Sequence, residues 1–245
     1  GSRMRFKAIF CQVFTREMQA VIARSPHAID IDVQPMGLHD LGIAMRPHLQ
    51  ARIDAADGAG YDAILLGYAL CGRGTEGLRA GKTPCVLSRA HDCIGILMGS
   101  RHRYETWFEA HPGTYYRSPG WIEFSSTRSL QPASANTVFD RLPLEELVKQ
   151  FGEDDGAYLF EQFSAYRRKY TGLTYISTGV AGEEPFSRRA QAEAECEKWA
   201  FEEFMGSLDL LQRLVNGTWD SSDFLVVHPG ESIRATNSDA IVESV

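Results

Sequence analysis

Sulfur and imidazole cluster in one stretch of this 245-residue chain, 61–101, where Cys71 sits in a glycine-rich loop and His91-Asp92-Cys93 follows twenty positions later. Thiolate and imidazole donors suit zinc or an iron centre better than magnesium or calcium, because soft and borderline ligands select soft and borderline ions. Cys11, Cys71 and Cys93 with either His39 or His91 would fill a tetrahedral zinc site. Three ligands alone would leave the open position that a catalytic zinc needs, and three cysteines are also enough for an iron–sulfur cluster with one exchangeable iron. No zinc-ribbon or zinc-knuckle spacing is present, so such a site exists only if the fold brings distant loops together. The plainer alternative is packing: a cysteine that ends an apolar run is an ordinary small hydrophobe, and His39 after Gly37-Leu38 can serve as a loop cap. Cys85, directly after Pro84, and Cys196, between two glutamates, are assigned to structure.

The elements that must position these residues alternate in type. Apolar runs at 5–13, 28–33, 62–67 and 84–87 have strand character, and helical spacing fills 14–24, 45–57 and 93–98. Pro47 is expected in a first helical turn and Asp92 as an N-cap. Strands alternating with helices imply a doubly wound, mostly parallel α/β sheet of Rossmann-like type, whose strand-to-helix loops all emerge at the carboxyl edge where ligands bind. On that topology Cys11, His39, Cys71, and His91 with Cys93 arrive from four loops at one edge.

Residues 100–136 are aromatic and rich in turn residues, and are expected to form an insertion with one short hairpin or two extended pieces. Helices are expected at 144–151, 157–170, 185–205 and 208–215, and strands at 173–177 and 224–228. One domain over 4–230 results, followed by a polar tail, 231–245, with no clear periodicity and expected to be partly disordered.

Composition narrows the function. The net charge of −7 and the dispersed lysines and arginines give no basic stripe for a nucleic acid backbone. No apolar run reaches the ~18 residues of a membrane span, and an odd cysteine count without secretory features argues against a disulfide framework, so the expectation is a cytoplasmic protein. Gly1-Ser2-Arg3 ahead of Met4 is taken as a cloning leader. The glycine spacing around Cys71 matches neither a dinucleotide fingerprint nor a P-loop, although the loop could cradle an anion. Arg73, Arg89 and Arg101 are candidates to bind a carboxylate or phosphate, with solvated surface charge as the alternative, and Tyr104 with Trp107, Tyr115, Tyr116 and Trp121 could wall a flat cofactor or form a private core. Serine hydrolase elbows and His-Glu-x-x-His helices are absent.

The runs LLGYALCGRGTEGL, RAHDCIGILMGSRHRY and HPGTYYRSPGWIE resemble the uncharacterised prokaryotic family known as domain of unknown function 1638, over nearly the whole chain. The family commonly has glycine where Ala69 stands. The resemblance implies functional weight on Cys11, His39, Cys71, Arg89, His91, Asp92, Cys93, Gly99, Ser100, Arg101, Tyr104, Gly113, Thr114 and Tyr115. It further implies a role in corrinoid-dependent one-carbon metabolism, with a small-molecule substrate, a corrinoid or a corrinoid protein as partner. His91-x-Cys93 is also similar to part of the zinc ligand set of cobalamin-dependent thiol methyltransferases. Three roles fit: a metal-dependent methyl transferase with zinc or an iron–sulfur centre, a non-catalytic accessory protein that binds a corrinoid or a partner, and a metal-free protein in which His39 or His91 is lower ligand to a corrinoid cobalt.

Overall fold

The structure is a computed structural model and describes residues 1–36, 42–125 and 144–245. The alternation of strand and helix folds as the sequence implies. Strands β1 (Arg5–Cys11), β2 (Ala28–Gln34), β3 (Ala63–Gly67) and β4 (Cys85–Ser88) run parallel in a five-stranded sheet ordered β2-β1-β3-β4-β8, and β8 (Phe224–Val227) closes the far edge antiparallel to β4. All residues of β3 and β4 are buried, as expected of strands covered on both faces. The edge strand β2 instead alternates with aspartates, and its Ile31 and Val33 stay exposed. A 3₁₀ turn at Gln12–Phe14 leads from β1 into α1 (Thr15–Ala23), and α2 (Gly42–Ala56) connects β2 towards β3. Pro47 lies inside α2 rather than in its first turn, because the helix begins three residues earlier than its apolar spacing announces.

Beyond β4 the chain departs from expectation in three places. Residues 101–110 form a helix, α4 (Arg101–Ala110), after the short α3 (Cys93–Met98); Ser100 caps α4 by accepting from the Arg103 N–H at 3.1 Å. Aromatic and polar residues mask this helix in the sequence, since no residue of it is fully buried and no apolar stripe develops. The next strand, β5 (Thr114–Arg117), opens a second, three-stranded parallel sheet with β6 (Gly172–Ser177) and β7 (Ala200–Met205), separated by α5 (Pro119–Ser125), α6 (Leu144–Phe151), α7 (Glu153–Arg167) and α8 (Glu184–Glu197). The expected single helix over 185–205 is therefore two elements. Lys198 adopts a left-handed φ of 58°, the Trp199 N–H closes on the Ala194 carbonyl at 2.9 Å, and the chain turns out of α8 into β7. Finally, after α9 (Asp209–Asn216) and β8, the tail is ordered: β9 (Ile233–Ala235) pairs antiparallel with β10 (Val242–Ser244), burying Ile233, Ile241 and Val242. One isolated apolar residue and an adjacent pair among polar ones carry too little periodicity to reveal this hairpin. No helix among the described residues is long and apolar enough to cross a membrane.

Glu17 on α1 ties the two sheets together. It is fully buried, one carboxyl oxygen accepts from Thr178 Oγ1 at 2.9 Å beyond the end of β6, and the other has no partner among the described residues. Burial pushes its carboxyl up to about 7. A carboxyl raised in the fold binds its proton more tightly there than in the unfolded chain, so stability falls as pH rises from the ordinary glutamate range to about 7 and is level above it. Glu17→Gln keeps the acceptor for Thr178 and removes the charge. The variant is expected to be more stable at pH 8 by about 1–3 kcal/mol and to lose that slope, read by urea unfolding between pH 5 and 8. An unchanged slope would show that Glu17 is ionised in the fold.

Candidate functional site

In the strand order β2-β1-β3 the chain leaves β1 first to one side and then to the other, so the carboxyl ends of β1 and β3 flank the switch point where α/β sheets open a crevice. Cys11 is the last residue of β1, and Cys71 lies four residues past the end of β3. Both are buried. Close by, just past the end of β3, Tyr68 is 1% exposed and its hydroxyl has no hydrogen-bond partner among the described residues. Burial pushes this phenol far above its ordinary range, and the nearby Cys11 and Cys71, then Asp32, push it further. Both sulfurs therefore lie close enough to one phenol oxygen for their charge to act on it.

The loop that carries Cys71 is held in an uncommon shape. Cys71, Gly72 and Arg73 are all left-handed, with φ of 52°, 58° and 72°, a region that disfavours side chains by roughly 1–2 kcal/mol per residue. Its neighbours over-determine it: the Leu70 and Cys71 N–H groups donate to the carbonyls of Ala90 and His91 at 3.0 and 2.9 Å, and the Gly74 N–H closes on Cys71 O at 3.0 Å. Thr75 Oγ1 donates to Ala69 O at 3.0 Å. The loops after β3 and β4 are thus one hydrogen-bonded unit, and local strain of this kind is a recurrent feature of functional sites.

On the β4 side Asp92 does two jobs. Its Oδ1 caps α3 by accepting from the Gly95 N–H at 3.0 Å, as the sequence predicts, and its Oδ2 accepts from Tyr104 Oη at 2.9 Å. Cys93, the first residue of α3, is buried and lies near enough to Tyr104 to raise its phenol after burial and Asp92 have done so. Tyr116 Oη is buried close to the Asp92 carboxylate without a hydrogen-bond partner, and its phenol is pushed up to about 12, chiefly by burial.

The anticipated residues thus fall into neighbouring groups along one edge. Cys11 and Cys71 share Tyr68, Cys93 sits with Tyr104 and Asp92, and exposed His91 lines an open cleft with Arg101. His39 lies outside the described residues. Among the described residues no three His, Cys, Asp or Glu side chains are already grouped as a metal site. The donor chemistry nevertheless fits a soft metal, since buried thiols flank the crevice beside a phenol that lacks a partner. Of the groups expected to bind a cofactor, the Tyr104 hydroxyl is engaged by Asp92. Arg89 is tied by Nε to Ser221 O at 2.9 Å and by Nη1 to the carbonyls of Ala240 and Val242. Cys85 starts β4 at the opposite edge, its thiol pushed up to about 12 by burial, and Cys196 is exposed on α8, consistent with structural roles for both. Sequence reasoning passed over Tyr68, whose place just past an apolar strand was the available clue, and the turn between β9 and β10, which offered none.

The family described as protein of unknown function (DUF1638) matches residues 33–215. No curated protein and no solved structure matches the chain.

Proposed function

The chain belongs to the DUF1638 family of proteins of unknown function, and on that premise we propose that the crevice between β1 and β3 is a thiolate metal site serving corrinoid-dependent one-carbon metabolism. Cys11 and Cys71 are its central donors, and Cys93 with His39 or His91 completes the set. Zinc takes precedence over an iron–sulfur cluster, because the donors combine sulfur with imidazole. The observation that carries the reading is the placement of Cys11 and Cys71 on either side of the switch point, against a buried phenol with no partner. The role in methyl-group chemistry rests on the resemblance of the chain to proteins associated with corrinoid systems.

Bound there, zinc would supply a Lewis acid that stabilises a thiolate at neutral pH. The chain's own residues do the rest. Tyr68, kept neutral by burial, offers its O–H as a donor to a thiolate and would lower the cost of placing that charge in an apolar crevice. The pinned loop 70–75 fixes the backbone of Cys71, and capping by Asp92 fixes that of Cys93.

Protein purified without oxygen should contain close to one equivalent of zinc and be colourless. A brown solution with iron and sulfide would replace zinc by a cluster, and absence of any metal would overturn the proposal. Incubation with methylcobalamin and a thiol acceptor then separates the roles: methylated thiol marks a transferase, and corrinoid binding without product marks an accessory protein.

A further inference from the structure

A second feature of the same edge lies outside the cysteine crevice. The start of α4 and the turn between β9 and β10 enclose an open cleft of about 710 Å³, walled by His91, Arg101 and His102 on one side and by Asn237, Ser238 and Asp239 on the other. Its inner recess is bounded by Arg89, Ser100, Arg101 and Asp223. Both guanidinium groups line this recess, and burial, followed by the charge of Arg101, pushes the pKa of Arg89 down. The one carboxylate in the recess, Asp223, is already paired with Arg213 at 2.9 Å. Arg89 makes its bonds to carbonyls, which satisfy its N–H groups without neutralising its charge. Arg101 donates through Nη2 to Ser222 O at 3.1 Å, but its Nη1 is buried with no hydrogen-bond partner among the described residues.

A buried guanidinium nitrogen without an acceptor, beside a second arginine and in a recess whose one carboxylate is already paired, is a vacancy for an oxyanion, while Glu105 and Asp239 line the outer cleft and suit a cationic part of the same ligand. We propose that this cleft binds a small molecule through a carboxylate or phosphate group, held by Arg101 at the inner end, with His91 and His102 at the rim. The outer wall of Asn237, Ser238 and Asp239 takes the uncharged or cationic remainder of the ligand. Arg89 acts as a positioning residue: it ties the β9–β10 hairpin to the end of β4 and adds positive potential without touching the ligand. The cleft requires no metal, so it stands or falls separately from the thiolate site. One hydrogen bond joins the two, since the His91 carbonyl accepts from the Cys71 N–H at 2.9 Å while His91 lines the cleft.

Calorimetric titration of the full chain with inorganic phosphate and, separately, with acetate, at ionic strength matched with chloride, tests this. One of the two oxyanions should bind, and which one is preferred assigns the ligand's end group as phosphate or carboxylate. Arg101→Met should weaken that binding at least 10-fold and Arg101→Lys should restore part of it, because the charge returns without the planar fork. His102→Glu, an exposed change that leaves the Ser222 contact intact, should weaken it several-fold if Arg101→Met fails to fold. Arg188→Met, on the remote surface of α8, should have no effect. No binding of either ion beyond chloride, or equal binding to the Arg101→Met and His102→Glu variants, would overturn the proposal.

Discussion

Cys71→Ala is expected to reduce zinc retention from about one equivalent to almost none, with apparent affinity falling on the order of 100-fold or more in competition with a chromophoric chelator. The expectation follows from where Cys71 stands. Its loop is pinned to the next one by backbone hydrogen bonds and holds three successive left-handed residues, so no neighbouring donor can slide into its place. Cys11→Ala should have a comparable effect, since it removes the second sulfur near Tyr68. Cys85→Ala, at the amino end of β4, should leave metal content unchanged while costing some packing. Equal zinc in the Cys71→Ala and unaltered proteins would mean that the crevice does not hold the metal.

Gly67→Ala should cost about 3 kcal/mol or more of folding stability in urea unfolding. Gly67 ends β3 opposite Phe10 in the β1–β3 register, and a Cβ added there would fall 2.3 Å from Phe10 Cβ and 3.1 Å from its Cα. Both strands are central and buried, so neither can yield without opening the sheet. The damage would reach the site directly, because Phe10 precedes Cys11. Gly72→Ala offers the comparison: φ of 58° but nothing within 4 Å of the added carbon, for a cost of about 1 kcal/mol. A Gly67→Ala protein as stable as Gly72→Ala would show that β1 and β3 pack less closely at their carboxyl ends.

The first half of the chain was readable because its strands are short, mostly apolar or alternating with aspartate at the edge, and separated by helices or a glycine-rich loop, a pattern that fits a parallel sheet. Placement of Cys11 and Cys71 at one edge follows from that pattern alone, and so does the Asp92 cap. The second sheet was hidden for a different reason. Ala200–Met205 reads as a helical continuation because Glu202, Glu203 and the exposed Met205 suit an edge strand and a solvent-facing helix equally well. Only the left-handed Lys198, a residue with no special liking for that shape, breaks the helix there. The grouping within the site was also beyond reach of spacing. Nothing in the sequence says that Tyr68 lies near two cysteines, that Tyr104 is taken by Asp92, or that Arg89 faces the carbonyl of a residue 151 positions later rather than a ligand. Such contacts depend on side-chain direction, which the order of strands leaves open.

The most direct test is X-ray absorption at the zinc edge of the metal-loaded chain. The account predicts a first shell with two or three sulfur neighbours at about 2.3 Å, reduced by one in Cys71→Ser. A first shell of nitrogen and oxygen alone, unchanged in that variant, would contradict it.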